Sequence, residues 1–93
     1  MIYLDNAATT RVMPEVAQVV QQAMTETFGN PSSPYTLGLE AERLVRQARE
    51  AIAGALGCHA DEVYFTSGGT EADNLAIRGT LQAKIRKGKH VVA

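Results

Sequence analysis

The chain has 93 residues, of which 45% are hydrophobic and 20% are charged, a composition typical of folded globular proteins. Nine lysines and arginines nearly balance ten aspartates and glutamates, so no strong field favours nucleic acid or an anionic membrane as a partner. A single cysteine excludes an internal disulfide and a cysteine-rich metal site, and we expect no metal. No apolar run approaches the roughly 18 residues of a membrane span, and no basic signal region follows the first residue, so we predict a cytoplasmic protein with a thin core.

The first elements predicted are a helix and a loop. From Pro14 to Glu26, apolar residues recur at three- and four-residue steps, which predicts an amphipathic helix with Pro14 in its first turn. Residues 28–34 contain two prolines, a glycine and three small polar side chains, and this composition predicts a loop.

A second apolar stripe predicts a longer helix that runs to Leu56, is capped by Ser33 or Thr36, and is ended by Gly57. The stripe consists of Leu37, Ala41, Leu44, Val45, Ala48, Ile52 and Ala55. On the outer face, opposite charges three or four residues apart predict ion pairs, each worth about 0.2–0.5 kcal/mol, on a solvated surface. These pairs are Glu40 with Arg43, Glu42 with Arg46, and Arg46 with Glu50.

The last third of the sequence predicts a strand, a helix and a second strand. Residues 63–66 form a short β-prone run, and residues 67–70 lead from it into a third helix that continues to about Lys87 and ends at Gly88. Residues 90–93 predict another strand that stops as it begins. The chain is therefore α/β in class, with a βαβ unit that is cut short.

The junction between the predicted strand and the third helix is a candidate anion site. A strand that enters a helix through Gly68 and Gly69 directs several backbone N–H groups and the positive end of the helix dipole towards one point. The hydroxyls of Thr66, Ser67 and Thr70 can donate to phosphate oxygens. The sequence matches neither the dinucleotide fingerprint nor the Walker A loop, so it favours a different phosphate ligand.

Two acidic residues bear on this junction. Glu71 already places a carboxylate in the first turn of the helix, which favours a ligand with a single phosphate over a more highly charged one. The structural alternative is that Thr70 only caps the helix and that Asp73 completes a capping box.

A second candidate segment lies near the start of the chain. Asn6, Ala7 and Ala8 are small and follow the apolar residues 2–4, so this segment can pass close to a bound ligand. The alternative is a plain turn before the first helix.

Three segments carry a family resemblance by their order and spacing. They are Y-L-D-N-A-A-T-T at residues 3–10, F-G-N-P-S-S at residues 28–33, and F-T-S-G-G-T-E-A-D-N-L-A-I at residues 65–77. Together they resemble the beginning of the cysteine desulfurases, pyridoxal-phosphate-dependent enzymes of the class V aminotransferase group. The resemblance implies the N-terminal part of a fold-type I large domain, in which residues 1–12 form a segment that reaches the active site and residues 13–93 begin the cofactor-binding domain.

The resemblance also implies the function of the complete enzyme. Such an enzyme is a homodimer that converts L-cysteine to L-alanine and holds the sulfur as a persulfide for iron–sulfur cluster or thio-cofactor synthesis, with a sulfur acceptor or iron–sulfur scaffold protein as partner. Gly69 and Thr70 match the pair that holds the phosphate of pyridoxal 5'-phosphate. Asn6, Ala7 and Ala8 match the segment on the substrate side of the pocket.

The family's catalytic groups lie further along than residue 93: the Schiff-base lysine, the aspartate and histidine against the cofactor ring, and the nucleophilic cysteine. We therefore assign no catalytic residue, give neither Cys58 nor any lysine present such a role, and expect the 93-residue chain to be truncated and inactive alone. The alternatives are another class V enzyme, a selenocysteine lyase or an aminotransferase, and a non-catalytic module for phosphate-ligand binding or dimerisation.

Overall fold

The computed structural model describes residues 1–92. Within that range it contains three α-helices, α1 (Pro14–Thr25), α2 (Thr36–Leu56) and α3 (Gly69–Ala83), and a short 3-10 helix over Ala60–Glu62. The chain divides into two compact units, Met1–Ala60 and Asp61–Ala93, which are described here in turn. No helix of the described residues combines the length and the apolar character needed to cross a membrane.

Helix α1 confirms the first predicted helix. It begins at Pro14, whose fixed φ suits the first helical position, after an extended Met13 (φ −64°, ψ 141°). It ends at Thr25, and the N–H of Glu26 donates to the carbonyl oxygen of Gln22 at 2.8 Å. Every residue of α1 is exposed, and none of its apolar side chains is buried in the described part of the chain.

The loop that enters α2 is confirmed, but the predicted cap of α2 is wrong. The N-cap residue is Tyr35, in extended conformation (φ −124°, ψ 171°) and without a side-chain capping bond. The backbone N–H of Ser33 donates to the carbonyl oxygen of Asn30 at 2.9 Å, so Ser33 belongs to the loop. Thr36 is already the first helical residue, and a residue inside the helix cannot serve as its N-cap.

The C-terminus of α2 confirms the predicted stop. Gly57 adopts the left-handed conformation (φ 69°, ψ 34°), and its N–H donates to the carbonyl oxygen of Ala53. The N–H of Cys58 reaches the same oxygen at 3.0 Å. This left-handed closure is the usual way in which a glycine ends a helix.

The core of the first unit is made of small residues. Ala41 and Ala53 are 6% and 4% exposed, and Gly38 is also buried. The larger members of the predicted α2 stripe lie nearer the surface, with Leu44 at 44% exposure. The thin core expected from the composition is confirmed, although Ala53 lies outside the predicted stripe.

The outer face of α2 carries one of the predicted ion pairs. Arg46 and Glu42 lie 3.5 Å apart, with both side chains about half exposed. Because a pair exposed to this degree is screened by water, it contributes little to stability.

The second unit differs from the prediction in its strands. Residues 63–66 and 90–92 form no strand in the described part of the chain, and Ala93 of the second predicted strand lies outside it. A strand needs a neighbouring strand to pair its backbone N–H and carbonyl groups, and residues 61–92 contain none. The truncated βαβ unit is therefore not observed.

Helix α3 is shorter than predicted at its end. It ends at Ala83, because residues after Lys84 form a turn in which the N–H of Lys87 donates to the carbonyl oxygen of Lys84 at 2.7 Å. The N–H of Gly88 reaches the same oxygen at 3.2 Å. The helix therefore stops before Lys87, and Gly88 follows a turn that the sequence pattern did not distinguish from helix.

Candidate functional site

The candidate anion site is the turn that precedes α3. Gly68 is the N-cap residue and Gly69 and Thr70 are the first two helical residues. The N–H of Ala72 donates to the carbonyl oxygen of Gly68 at 3.1 Å and makes the first bond of the helical ladder. The N–H groups of the three helical residues before Ala72 have no acceptor within the helix, so they form the positive end of its dipole.

The capping-box alternative is wrong. Thr70 is the second residue of the helix, and the N-cap Gly68 has no side chain that can cap. The carbonyl oxygen of Thr70 accepts a hydrogen bond from the side-chain amide of Asn74, one helical turn later, at 2.8 Å. The start of α3 therefore has no conventional side-chain cap at its N-cap position.

The two glycines leave open space beside the turn. A Cβ atom built on Gly68 or Gly69 would meet no heavy atom within 4 Å. Gly68 is extended, with φ 168° and ψ −177°, so the left-handed region does not explain its presence. Backbone donors that are not shielded by side chains can approach a ligand closely, and this is the property that a phosphate site needs.

The hydroxyl side chains of Thr66 and Ser67 form hydrogen bonds within the turn. The Thr66 hydroxyl donates to the carbonyl oxygen of Gly68 at 3.0 Å. The backbone N–H and the hydroxyl of Ser67 both donate to Oε2 of Glu71, at 3.1 Å and 2.5 Å. Thr66 and Ser67 therefore use their hydroxyls within the turn itself.

The carboxylate of Glu71 is the charged group of this site. The hydroxyl of Ser67, and secondarily its backbone N–H, lower the pKa of Glu71 below its ordinary value. The carboxylate is therefore ionised at neutral pH and faces Ser67. Its negative charge lies in the same turn as the helical donors, which favours a ligand of modest charge.

The turn has the features that a phosphate group requires. Backbone donors at Gly69 and Thr70 lie in the first turn of a 15-residue helix, and the space beside the glycines is open. The hydroxyl of Thr70 adds a side-chain donor of the kind found in phosphate sites. These residues fit one phosphate group.

The segment with Asn6, Ala7 and Ala8 lies in the first unit and forms a turn. The N–H of Ala8 donates to the carbonyl oxygen of Asp5 at 3.1 Å. The hydroxyl of Tyr3 lies 2.7 Å from the carbonyl oxygen of Asp5 and 2.9 Å from that of Thr9. Residues 6–8 therefore form a turn, on which Asn6, Ala7 and Ala8 are exposed.

The predicted site residues belong to both units, each of which is described by itself. Gly69 and Thr70 are adjacent at the start of α3, whereas residues 6–8 belong to the other unit. Sequence reasoning missed the bonds between Ser67 and Glu71 and the role of Tyr3 in its turn.

Cys58 is a free thiol, half-buried, directly after the left-handed Gly57. Among the described residues, no group of three histidine, cysteine, aspartate or glutamate side chains is placed to hold a metal ion.

Comparison with known protein families identifies the class of this chain. Residues 2–93 match the family model described as aminotransferase class V, and the chain belongs to that family. Membership implies the α/β architecture of fold type I. The resemblance based on the three sequence segments is thereby confirmed at the level of the family.

Individual relatives make the similarity more specific. The chain is 48% identical over 92 residues to a NifS/IcsS protein homolog of Lactobacillus delbrueckii subsp. bulgaricus, an alignment that covers 99% of this chain and 24% of the relative. It is 50% identical over 91 residues to the cysteine desulfurase IscS of Methanosarcina thermophila, covering 98% and 22%. It is 48% identical over 92 residues to a cysteine desulfurase of Trichormus azollae, covering 99% and 23%. The chain thus spans about a quarter of the length of these relatives.

Proposed function

We propose that this chain forms the N-terminal part of a cysteine desulfurase, which converts L-cysteine to L-alanine and retains the sulfur as an enzyme persulfide. The observation that carries the proposal is the 48–50% identity to cysteine desulfurases over nearly the whole chain. Residues 13–93 then begin the cofactor-binding large domain, and residues 1–12 form a segment that reaches the active site.

The first of the chain's roles is to hold the phosphate of pyridoxal 5'-phosphate. The backbone N–H groups of Gly69 and Thr70 and the Thr70 hydroxyl are the proposed donors, supported by their position at the positive end of α3. The hydroxyls of Thr66 and Ser67 are bound within the turn, which favours Thr70 as the side-chain donor. When bound, this cofactor supplies the electron withdrawal that makes cysteine's carbon–sulfur bond reactive.

The second role belongs to the N-terminal turn. Asn6, Ala7 and Ala8 present small, exposed side chains. The Tyr3 hydroxyl lies within hydrogen-bond distance of the carbonyl oxygens of Asp5 and Thr9, on either side of this turn. Small residues leave room for a substrate beside them, which supports a place on the substrate side of the pocket.

The partners of the complete enzyme follow from the same proposal. A sulfur acceptor or iron–sulfur scaffold protein receives the persulfide sulfur, and two copies form a homodimer in the cytoplasm. Val16, Val19, Val20 and Met24 of α1 are 49–73% exposed, which supports an assembly that covers them, since a helix gains most of its stability from packing its apolar face.

The activity is tested with the complete polypeptide that carries this chain. Purified protein is incubated with L-cysteine, pyridoxal 5'-phosphate and a dithiol reductant, which reduces the enzyme persulfide to sulfide and is itself oxidised to a disulfide. Alanine and sulfide should then form in equal amounts. Parallel reactions with L-selenocysteine, and with amino-acid and keto-acid pairs, distinguish a selenocysteine lyase or an aminotransferase. Turnover of those substrates without turnover of L-cysteine would overturn the desulfurase proposal.

The phosphate site is tested by a matched pair of threonine variants. Thr70→Val removes the proposed hydroxyl donor, and we expect the affinity for pyridoxal 5'-phosphate to fall by about tenfold or more, as for loss of a bond to a charged group. Thr80→Val, at another exposed position of the same helix, is the control and should leave the affinity unchanged. Equal affinities of Thr70→Val and Thr80→Val for pyridoxal 5'-phosphate would show that the Thr70 hydroxyl does not bind the phosphate.

A further inference from the structure

The bonds between Ser67 and Glu71 enclose the phosphate turn. Two donors of Ser67, its backbone N–H and its hydroxyl, converge on the single oxygen Oε2 of Glu71. The three residues between them are residues 68–70, of which Gly69 and Thr70 present the proposed donors. We call these two bonds the Ser67–Glu71 clasp.

The clasp restrains the most flexible part of the site. Gly68 and Gly69 lose more conformational freedom on ordering than any other residue type would. A ligand that had to order them by itself would bind more weakly, whereas a turn already closed by the clasp avoids that loss. Because Glu71 is fully exposed, its side chain adds little packing, and its hydrogen bonds are its main structural contribution.

The carboxylate of Glu71 also acts against an anion. It is ionised at neutral pH and lies in the first turn, so it repels the phosphate that the backbone donors attract. The net effect of Glu71 is therefore the difference between ordering the turn and repelling the ligand. These two effects are separable, since ordering depends on the acceptor oxygen and repulsion depends on the charge.

We propose that Glu71 is a positioning residue, which orders the Gly68–Gly69–Thr70 turn for a phosphate ligand through its two hydrogen bonds from Ser67. The proposal rests on the phosphate site proposed above and adds to it a residue that does not contact the ligand. It assigns Ser67 to the clasp and not to the phosphate.

The decisive experiment compares Glu71→Gln with Glu71→Ala in the complete polypeptide, freed of cofactor. Both variants lack the charge, but only glutamine keeps an oxygen that can accept both bonds. The ligand is pyridoxine 5'-phosphate, which carries the phosphate but no aldehyde, and binding is measured by calorimetry. We expect the glutamine variant to bind about three- to tenfold more tightly than the alanine variant, the range of one modest hydrogen bond.

Two controls tie this difference to the clasp and to the phosphate. The same substitutions at Asp73, two positions further along α3, should give asparagine and alanine variants of equal affinity. Pyridoxine without its phosphate should bind the two Glu71 variants equally. If Glu71→Ala does not fold, Ser67→Ala removes one of the two bonds from the other side and should weaken binding in the same direction.

The outcomes separate the two proposals. Equal binding of pyridoxine 5'-phosphate by Glu71→Gln and Glu71→Ala, in a protein whose parent prefers this ligand over pyridoxine, overturns the role of Glu71 and leaves the phosphate site in place. A parent protein without that preference overturns the phosphate site and the positioning role together. A difference that persists with pyridoxine also overturns the positioning role, because the effect would not act at the phosphate.

Discussion

The carbonyl oxygen of Ser33 lies directly against Gly38, so that a Cβ atom at Gly38 would overlap it. The same Cβ would come within 2.8 Å of the carbonyl oxygen of Asn30. The loop before α2 therefore folds back onto the first turn of that helix, backbone against backbone. A Cβ atom at Gly29 would likewise overlap the carbonyl oxygen of Leu37, so the loop approaches the helix backbone at this second point.

Gly38→Ala should destabilise the first unit by about 1–3 kcal/mol, the cost of forcing a methyl group into a packed site. The obstructing atoms are backbone carbonyl oxygens, which cannot rotate away as a flexible side chain would. The measurement is hydrogen exchange followed by mass spectrometry on the complete polypeptide, which should accelerate across residues 29–39.

Gly54→Ala is the matched control on the same helix. A Cβ at Gly54 would meet no heavy atom within 4 Å, so the substitution introduces no overlap. Alanine has the higher helix propensity, and we expect a gain of about 0.5–1 kcal/mol. Exchange should be slower along α2 in Gly54→Ala and faster in Gly38→Ala. This result would establish that steric overlap, and not the loss of a glycine as such, destabilises Gly38→Ala.

Gly57→Ala should destabilise the end of α2, because Gly57 has a φ of 69° and open space around its Cβ position. The cost is conformational, about 1–2 kcal/mol for an L residue in the left-handed region. Asparagine tolerates this region better, so Gly57→Asn should lose less. The thermal unfolding midpoint should therefore be higher for Gly57→Asn than for Gly57→Ala. An equal or lower midpoint for Gly57→Asn would contradict this prediction.

The helices were predictable from sequence because their signals are local. The periodic apolar residues of α1, the Pro14 start and the Gly57 stop each act within a few residues of their own position. The strands were not, since a strand forms only by pairing with a second strand, which the local sequence does not specify, and no strand is formed within residues 61–92. Tyr35 is the N-cap in place of Ser33 because Ser33 lies in a turn of the preceding loop, where its N–H donates to the carbonyl oxygen of Asn30.

Some features of the candidate site could likewise be predicted from sequence, and others could not. Gly69 and Thr70 could be located from sequence, because a glycine pair before an amphipathic helix is a local signal for exposed backbone donors. The clasp could not, since Ser67 precedes the N-cap and the familiar capping box joins the N-cap itself to the third helical residue. The charge of Glu71 was apparent from its residue type, but its hydrogen-bond partner required the conformation of the turn.

Tyr3→Phe should loosen the N-terminal turn. It removes the hydroxyl that lies 2.7 Å and 2.9 Å from the carbonyl oxygens of Asp5 and Thr9, and leaves the ring in place. A net hydrogen bond of about 0.5–1.5 kcal/mol corresponds to roughly a two- to tenfold increase in exchange of the amides of residues 8 and 9. Tyr64→Phe, at an exposed position of the other unit, is the control and should leave these amides unchanged.

The Ser67–Glu71 clasp should stabilise the fold less as the pH falls. The two bonds from Ser67 lower the pKa of Glu71 in the folded chain below its ordinary value of 4.5. A carboxyl whose folded pKa is lowered adds stability above its unfolded pKa and loses it as the pH falls through the lowered value. The unfolding midpoint of the parent should therefore exceed that of Glu71→Gln from pH 7 to about pH 5, and the difference should shrink progressively below pH 4.5. The same comparison with Asp73→Asn, outside the clasp, should show a smaller change over this range. A difference between parent and Glu71→Gln that stays constant down to pH 3 would mean that the carboxylate is not the form that Ser67 holds.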